Sequence, residues 1–293
     1  MMLRSFYTRH LSSTLYSYTK HHSLPRTTAC SITGATSFLI PPSQRSHSTA
    51  TVEQSVSNHN NRLRLVEDDY CNDHSTSFPP LVGQAMNDLA LETIQEYRNA
   101  HMMNSKTAAL LLRQWVSLFR PRRVLEIGTF TGYSTIAMAS ALRGQDSDLI
   151  SLEKDPGPLL LAERYLVQAG LSDKVTLLQG DALESLSILA KDQVQFDMIF
   201  LDADKGSYIK YYDTILENNM LTDEGMILVD NVLYFGQVHR VAGYHEDQPT
   251  PASKNINRVA RKVDAFNKHV KHDNRVQSII LPLFDGLTII KKA

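Results

Sequence analysis

The chain has 293 residues, enough for one large α/β domain with an extension or for two small domains. Its 42% hydrophobic and 21% charged residues fit a globular protein, and a net charge of −1 gives no electrostatic reason to expect nucleic acid or an anionic membrane as partner. Two cysteines make a disulfide framework or a cysteine-rich zinc site a poor reading, and no apolar run approaches the length of a membrane span.

Residues 1–52 stand apart. They are rich in Ser and Thr, carry Arg4, Arg9, Lys20, Arg26 and Arg45, and contain no acid before Glu53. That composition predicts a mitochondrial transit peptide, with a basic helical start in which Leu3, Phe6, Tyr7, Leu11 and Leu15 lie near one side. The alternative is a low-complexity tail without an address, which would leave the protein cytoplasmic. Residues 53–78 read as a poorly ordered polar linker, and 79–293 as a single domain.

Helical spacing then predicts a helix over 80–97, with Leu81, Ala85, Leu89 and Ile94 on its apolar side. A second runs over 105–119, capped by Ser105, with Ala108, Leu111, Leu112, Trp115 and Leu118 inward, and Pro121 ends it. Beyond it, short apolar runs over 123–128, 148–153, 174–179, 196–202 and 225–230 alternate with helical stretches over 133–142, 158–169, 182–189 and 208–218. Such alternation implies right-handed βαβ units and a mostly parallel sheet with helices on both faces. Two last runs around Asp285-Gly286 predict an antiparallel hairpin at the sheet edge, giving seven strands in all.

Glu126, Glu153, Asp202 and Asp230 all fall at the C-terminal ends of these strands, the edge where an open α/β sheet binds ligands. One acid there is readily a helix cap; four are harder to explain so. Gly128 and Gly132 let the loop after the first strand turn tightly and approach a ligand. The spacing is neither the dinucleotide fingerprint nor a P-loop. Glu153 can accept hydrogen bonds from two ribose hydroxyls, and Gly180-Asp181-Ala182 suits an adenine edge. In this order the set predicts a nucleoside cofactor.

The run Glu126-Ile-Gly-Thr-Phe-Thr-Gly-Tyr-Ser134, the following strand-end Glu153 and Gly-Asp-Ala resemble the class I S-adenosylmethionine-dependent methyltransferases, and more narrowly the caffeoyl-CoA/catechol O-methyltransferase family. The resemblance covers about residues 80–293 and implies a Rossmann-like fold. It implies S-adenosylmethionine contacts at Asn104, Glu126, Gly128, Thr129, Ser134, Glu153, Asp181, Ala182, Asp202 and Asp204, and a homodimer.

Two further motifs, 200–208 and 228–236, supply Asp202, Asp230 and Asn231: oxygen ligands from two strand ends, as a hard cation such as Mg²⁺ prefers. The open positions suit two acceptor oxygens on adjacent carbons, with the metal lowering the pKa of a bound hydroxyl. Lys205 follows Asp202 by three residues, and a nearby cation should lower its pKa, which suits a general base. In the resembling family the equivalent residues hold the metal and remove the proton. Taken singly, these residues would pass for caps and a solvated lysine. Phe235 stands where some plant members carry a polar substrate contact, so the implied acceptor is a small phenol, catechol-like or caffeoyl-CoA-like, without closer definition. Residues 53–80 and the loop 236–257 are expected to rim the pocket; His239, Arg240, Tyr244, His245 and Lys254 in that loop would either meet an acidic acceptor or form a solvated loop, and the solvated loop is the favoured reading. The rival readings are an NAD-dependent oxidoreductase, which the missing third glycine opposes, a nucleic-acid methyltransferase, whose Pro-Pro-Tyr motif is absent, and a non-catalytic binding protein on the same fold.

Overall fold

The computed structural model describes residues 62–244 and 252–293. The chain divides into two units, Met1–Ser46 and His47–Ala293, and every described residue belongs to the second. The expected transit segment, the first part of the linker and His245 lie outside the described residues.

The polar linker is not irregular throughout: Arg62–His74 form a helix, α1. It is tied to the domain where the Thr107 hydroxyl donates to the side-chain oxygen of Asn72 at 2.8 Å. Next come α2 (Pro80–Glu96), a 3₁₀ turn (Ala100–Met102) and α3 (Lys106–Phe119). Pro80 opens α2, where its missing N–H costs nothing. The Ser105 hydroxyl caps α3 by accepting from Ala108 N, and Arg120 in the left-handed region ends it. The buried sides keep the expected Ala85, Leu89, Ala108 and Leu112 but are rotated around them. Val82, Ala85, Met86 and Leu89 face inward on α2, while Leu81 is 60% exposed; on α3, Ala109 and Val116 join Leu112 inside, while Leu118 is 67% exposed. Ile94 is 37% exposed.

The sheet follows as β1 (Arg123–Ile127), β2 (Asp148–Glu153), β3 (Val175–Gln179), β4 (Phe196–Leu201), β5 (Leu221–Asp230), β6 (Val276–Leu281) and β7 (Leu287–Lys292). Helices α4 (Tyr133–Ala139), α5 (Pro156–Gln168), α6 (Ala182–Lys191) and α7 (Tyr208–Glu217) make the crossovers. The short α8 (Val238–Val241) and the long α9 (Lys254–Lys271) lie between β5 and β6. Strand order is β3-β2-β1-β4-β5-β7-β6, parallel through β5 and antiparallel for β7 and β6. The expected seven-stranded sheet is therefore present, and its hairpin is joined by the loop 282–286.

Alternate strand residues feed two buried faces, as the two-residue period requires. Val124, Met198, Phe200, Met226 and Leu228 pack in one core with the apolar sides of α2, α3, α4 and α5. The opposite face carries the helix unforeseen in the sequence, α9. Its fully buried Phe266 meets the rings of Tyr208 and Tyr212 edge-on at 5.4 and 6.1 Å. Ser253 caps α9 through Ile256 N.

Candidate active site

Chain order reverses between β1 and β4: β2 and β3 lie to one side of this pair, β5 to the other. Crossovers leave in opposite directions there and open a crevice at the strand ends. Gly128 (φ 104°) and Gly132 (φ 90°) shape its first wall. A Cβ on Gly128 would fall on the carbonyl oxygen of Asp202, and one on Gly132 would lie 2.7 Å from Cβ of Ala162. Only glycine lets β1 run this close to the β4 end and α4 this close to α5.

The loop is fixed from β2. The N–H groups of Gly128 and Thr129 donate to the Leu152 carbonyl at 3.0 and 3.2 Å. Glu153 accepts from the backbone N–H groups of Phe130, Lys154 and Asp155 at 2.7, 2.8 and 2.9 Å, which set its carboxylate at the wall. Asp181 caps α6 through Leu183 N, and Asp204 accepts from the Tyr211 hydroxyl at 2.7 Å. Gly128, Thr129, Ser134, Glu153, Asp181, Ala182, Asp202 and Asp204 line one cavity of about 2440 Å³, shared with Asn104, Lys205, Asp230 and Asn231.

Glu126 is the exception among the residues expected to touch a cofactor. Its side chain is fully buried and absent from the cavity lining. Ser134 and Ser151 donate to it at 2.5 Å each, and Thr135 donates as well. Burial pushes its pKa up to about 7 against the pull of these hydroxyls. In this arrangement the carboxylate supports Ser134, which does reach the cavity, from one layer beneath. The glycine motif marks Glu126 as a strand end but does not say which way it points, and Thr135 and Ser151 carried no signal of their own.

At the adjoining strand ends, Asp202 and Asp230 converge. Asn231 N donates to Oδ1 of Asp230 at 2.7 Å, from a backbone at φ 56°. The Tyr208 hydroxyl donates to the Asp230 carbonyl at 3.0 Å. The Asn104 amide nitrogen lies 3.0 Å from Oδ2 of Asp230 and 3.4 Å from Oδ2 of Asp202. Burial, and next the charge of Asp202, push the Asp230 carboxyl up to about 7. The Lys205 charge beside Asp202 offsets this only in part. Among the described residues no group of three or more His, Cys, Asp or Glu has ligand geometry. The candidate set is two carboxylates and the Asn231 amide, and these hard oxygens, facing one cavity, fit a cation of the Mg²⁺ class.

Lys205 Nζ is 2.8 Å from Oδ1 of Asp202 and 3.1 Å from the Ala203 carbonyl, with both charged side chains 13% exposed. Its ammonium also lies 5.1 Å from the centre of the Tyr208 ring. Burial pulls its pKa down, but the charge of Asp202 and their hydrogen bond outweigh that and hold Lys205 above the usual lysine range; the expected fall belongs to the site with a cation beside it. Tyr208, which closes the 200–208 motif, lies beneath both residues, its hydroxyl on the Asp230 carbonyl and its ring beside Lys205, a role its place in the motif does not signal.

The outer walls match the expected rim in part. Glu67, Asp68 and Cys71 of α1, with Phe235, His239 and Arg240, line the cavity; Tyr244 and Lys254 do not. Lys262 of α9 does, and was not foreseen.

Comparison with known proteins gives a consistent result. A model of the O-methyltransferase family matches residues 74–293. O-methyltransferase ankF of Aspergillus thermomutatus is 32% identical over 227 residues, covering 76% of this chain and 91% of the relative. Caffeoyl-CoA O-methyltransferase of Populus kitakamiensis is 29% identical over 222 residues, covering 75% and 91%. Among solved structures, SAH-bound Podospora anserina methyltransferase PaMTH1 superposes with a TM-score of 0.71 at 27% identity, over 80% of this chain and 97% of that one. The O-methyltransferase TomG from Streptomyces achromogenes, in complex with SAM, gives 0.64 at 26% identity, over 78% and 96%.

Proposed function

The chain belongs to the O-methyltransferase family and is an S-adenosylmethionine-dependent O-methyltransferase, and from that premise we propose that its acceptor is a small phenol whose hydroxyl is presented by a divalent cation. The observation that carries this reading is the convergence of Asp202 and Asp230 on one edge of the cavity, with Lys205 against Asp202.

Glu153 and Asp181 are the groups for the ribose and adenine ends of the cofactor, and Gly128, Thr129 and Ser134 for its amino-acid end. S-adenosylmethionine supplies the methyl group from a sulfonium. Asp202, Asp230 and Asn231 would hold a cation of the Mg²⁺ class, which, when bound, lowers the pKa of an acceptor hydroxyl and orients it. Lys205 stands at the same edge and is assigned the acceptor proton. While paired with Asp202 it is held charged, so the assignment requires the Asp202 carboxylate to be engaged elsewhere, which leaves burial to favour the neutral amine. Positioning of methyl donor and acceptor oxygen in line carries much of the acceleration. The reading also includes a homodimer and a mitochondrial location, on family likeness and N-terminal composition respectively.

The test is methyl transfer from labelled S-adenosylmethionine to a panel of vicinal diphenols, with Mg²⁺ and then with EDTA. Transfer that EDTA abolishes and Mg²⁺ restores supports cation and acceptor class together. Transfer indifferent to EDTA removes the roles given to Asp202, Asp230 and Asn231. No transfer to any diphenol, with the cofactor bound, removes the acceptor class.

A further inference from the structure

The two carboxylates of the candidate cation site already share a partner. Asn104 stands in the segment before α3, 126 residues from Asp230 and 98 from Asp202, yet its one amide nitrogen reaches Oδ2 of both, at 3.0 and 3.4 Å. The orientation of the amide is dictated by charge. Turned over, its carbonyl oxygen would face two anionic oxygens, whereas the nitrogen offers each a proton. Lys205 engages the other oxygen of Asp202, and Asn231 N the other oxygen of Asp230. Without Asn104, the two inward-facing oxygens would oppose each other with no donor between them, in a place where Asp230 is only 6% exposed.

We infer that Asn104 is a positioning residue for the cation site: its carboxamide stands in for the cation, holding Asp202 and Asp230 together in the metal-free protein and giving up their shared edge when a divalent cation binds. The inference rests on the reading of these two residues as cation ligands. The amide supplies two hydrogen bonds but no net charge, so a divalent ion outcompetes it at the same edge. The amide's hold on the free carboxylates must be broken first, and that lowers the apparent cation affinity. Asn104 also ends the stretch whose His101, Met102 and Met103 line the cavity, so its release links cation loading to the shape of that wall.

The test needs no turnover. The full-length protein, stripped of metal, is titrated with Mg²⁺ by calorimetry alongside Asn104→Ala. The variant is expected to bind Mg²⁺ about tenfold more tightly than wild type. It should also melt at a lower temperature without metal, with the gap closing at saturating Mg²⁺. Equal or weaker Mg²⁺ binding by the variant overturns the inference; weaker binding would make the amide a ligand through its oxygen. Wild-type protein that binds neither Mg²⁺ nor Mn²⁺ overturns the cation reading itself, and this inference with it. Asn104→Ser, whose hydroxyl is too short to bridge both carboxylates, is read in the same way should the alanine variant not fold. In wild type, the Asn104 side-chain amide resonances are expected to shift on Mg²⁺ addition, and unshifted resonances at saturation also overturn the inference.

Discussion

Gly128 and Asp202 stand back to back: a methyl group added at Gly128 would strike the Asp202 carbonyl and come within 3.1 Å of Cα of Ala203. The wall of the cofactor crevice and the strand end that carries Asp202 are thus one packed unit. Gly128→Ala adds this collision to the strain of φ 104°, on the order of 1–3 kcal/mol from the backbone alone. The variant is expected to melt at a lower temperature and to bind S-adenosylhomocysteine at least tenfold more weakly. Wild-type affinity in calorimetry would show that the two segments can part without loss.

Lys205→Ala removes the group placed to take the acceptor proton, leaving Glu153 and the glycine loop untouched. The maximal rate is expected to fall by roughly 10²–10⁴ with cofactor affinity nearly unchanged. A normal turnover number would take Lys205 out of the mechanism.

Glu126 couples stability to pH. Its carboxyl sits at about 7 in the folded protein against a reference value of 4.5, so between these values the folded state binds the extra proton. The stabilisation is fully present below about 4.5 and is lost as pH rises through about 7, with a span on the order of 3 kcal/mol. In urea unfolding of the cofactor-free protein, wild type is expected to lose stability between about pH 4.5 and about 7, and Glu126→Gln to lose less, keeping the share that the Asp230 carboxyl contributes. Parallel profiles would mean that the buried carboxyl does not titrate in this range.

Phe266 packs α9 against Tyr208, whose hydroxyl holds the Asp230 carbonyl. Phe266→Ala is expected to cost about 3–5 kcal/mol in denaturant unfolding, as for a fully buried aromatic ring. A cost under about 1 kcal/mol would mean that the cavity collapses around Tyr208.

The sequence by itself determined the layered α/β plan, because strands buried on both faces appear as short apolar runs and crossover helices must lie between them. It also determined that Asp202, Asp230, Asn231 and Lys205 would meet, since polar residues at the C-terminal ends of neighbouring parallel strands are delivered to one edge whatever the loops do. Helix Lys254–Lys271 carries its buried Ala260, Val263, Phe266 and Val270 at helical spacing, but basic and polar residues fill most of its length and mask the apolar stripe, and its Phe266 finds its partners, the rings of Tyr208 and Tyr212, only in the fold. The inward sides of α2 and α3 were likewise set by the neighbours they pack against rather than by their own spacing. Tertiary structure alone decided that Glu126 turns beneath the loop toward three hydroxyls, that Asp202 holds Lys205 charged, and that Asn104 spans two carboxylates far away in the chain. Hydrogen bonds, burial and Coulomb attraction depend on distance in space, and a linear pattern records only distance along the chain.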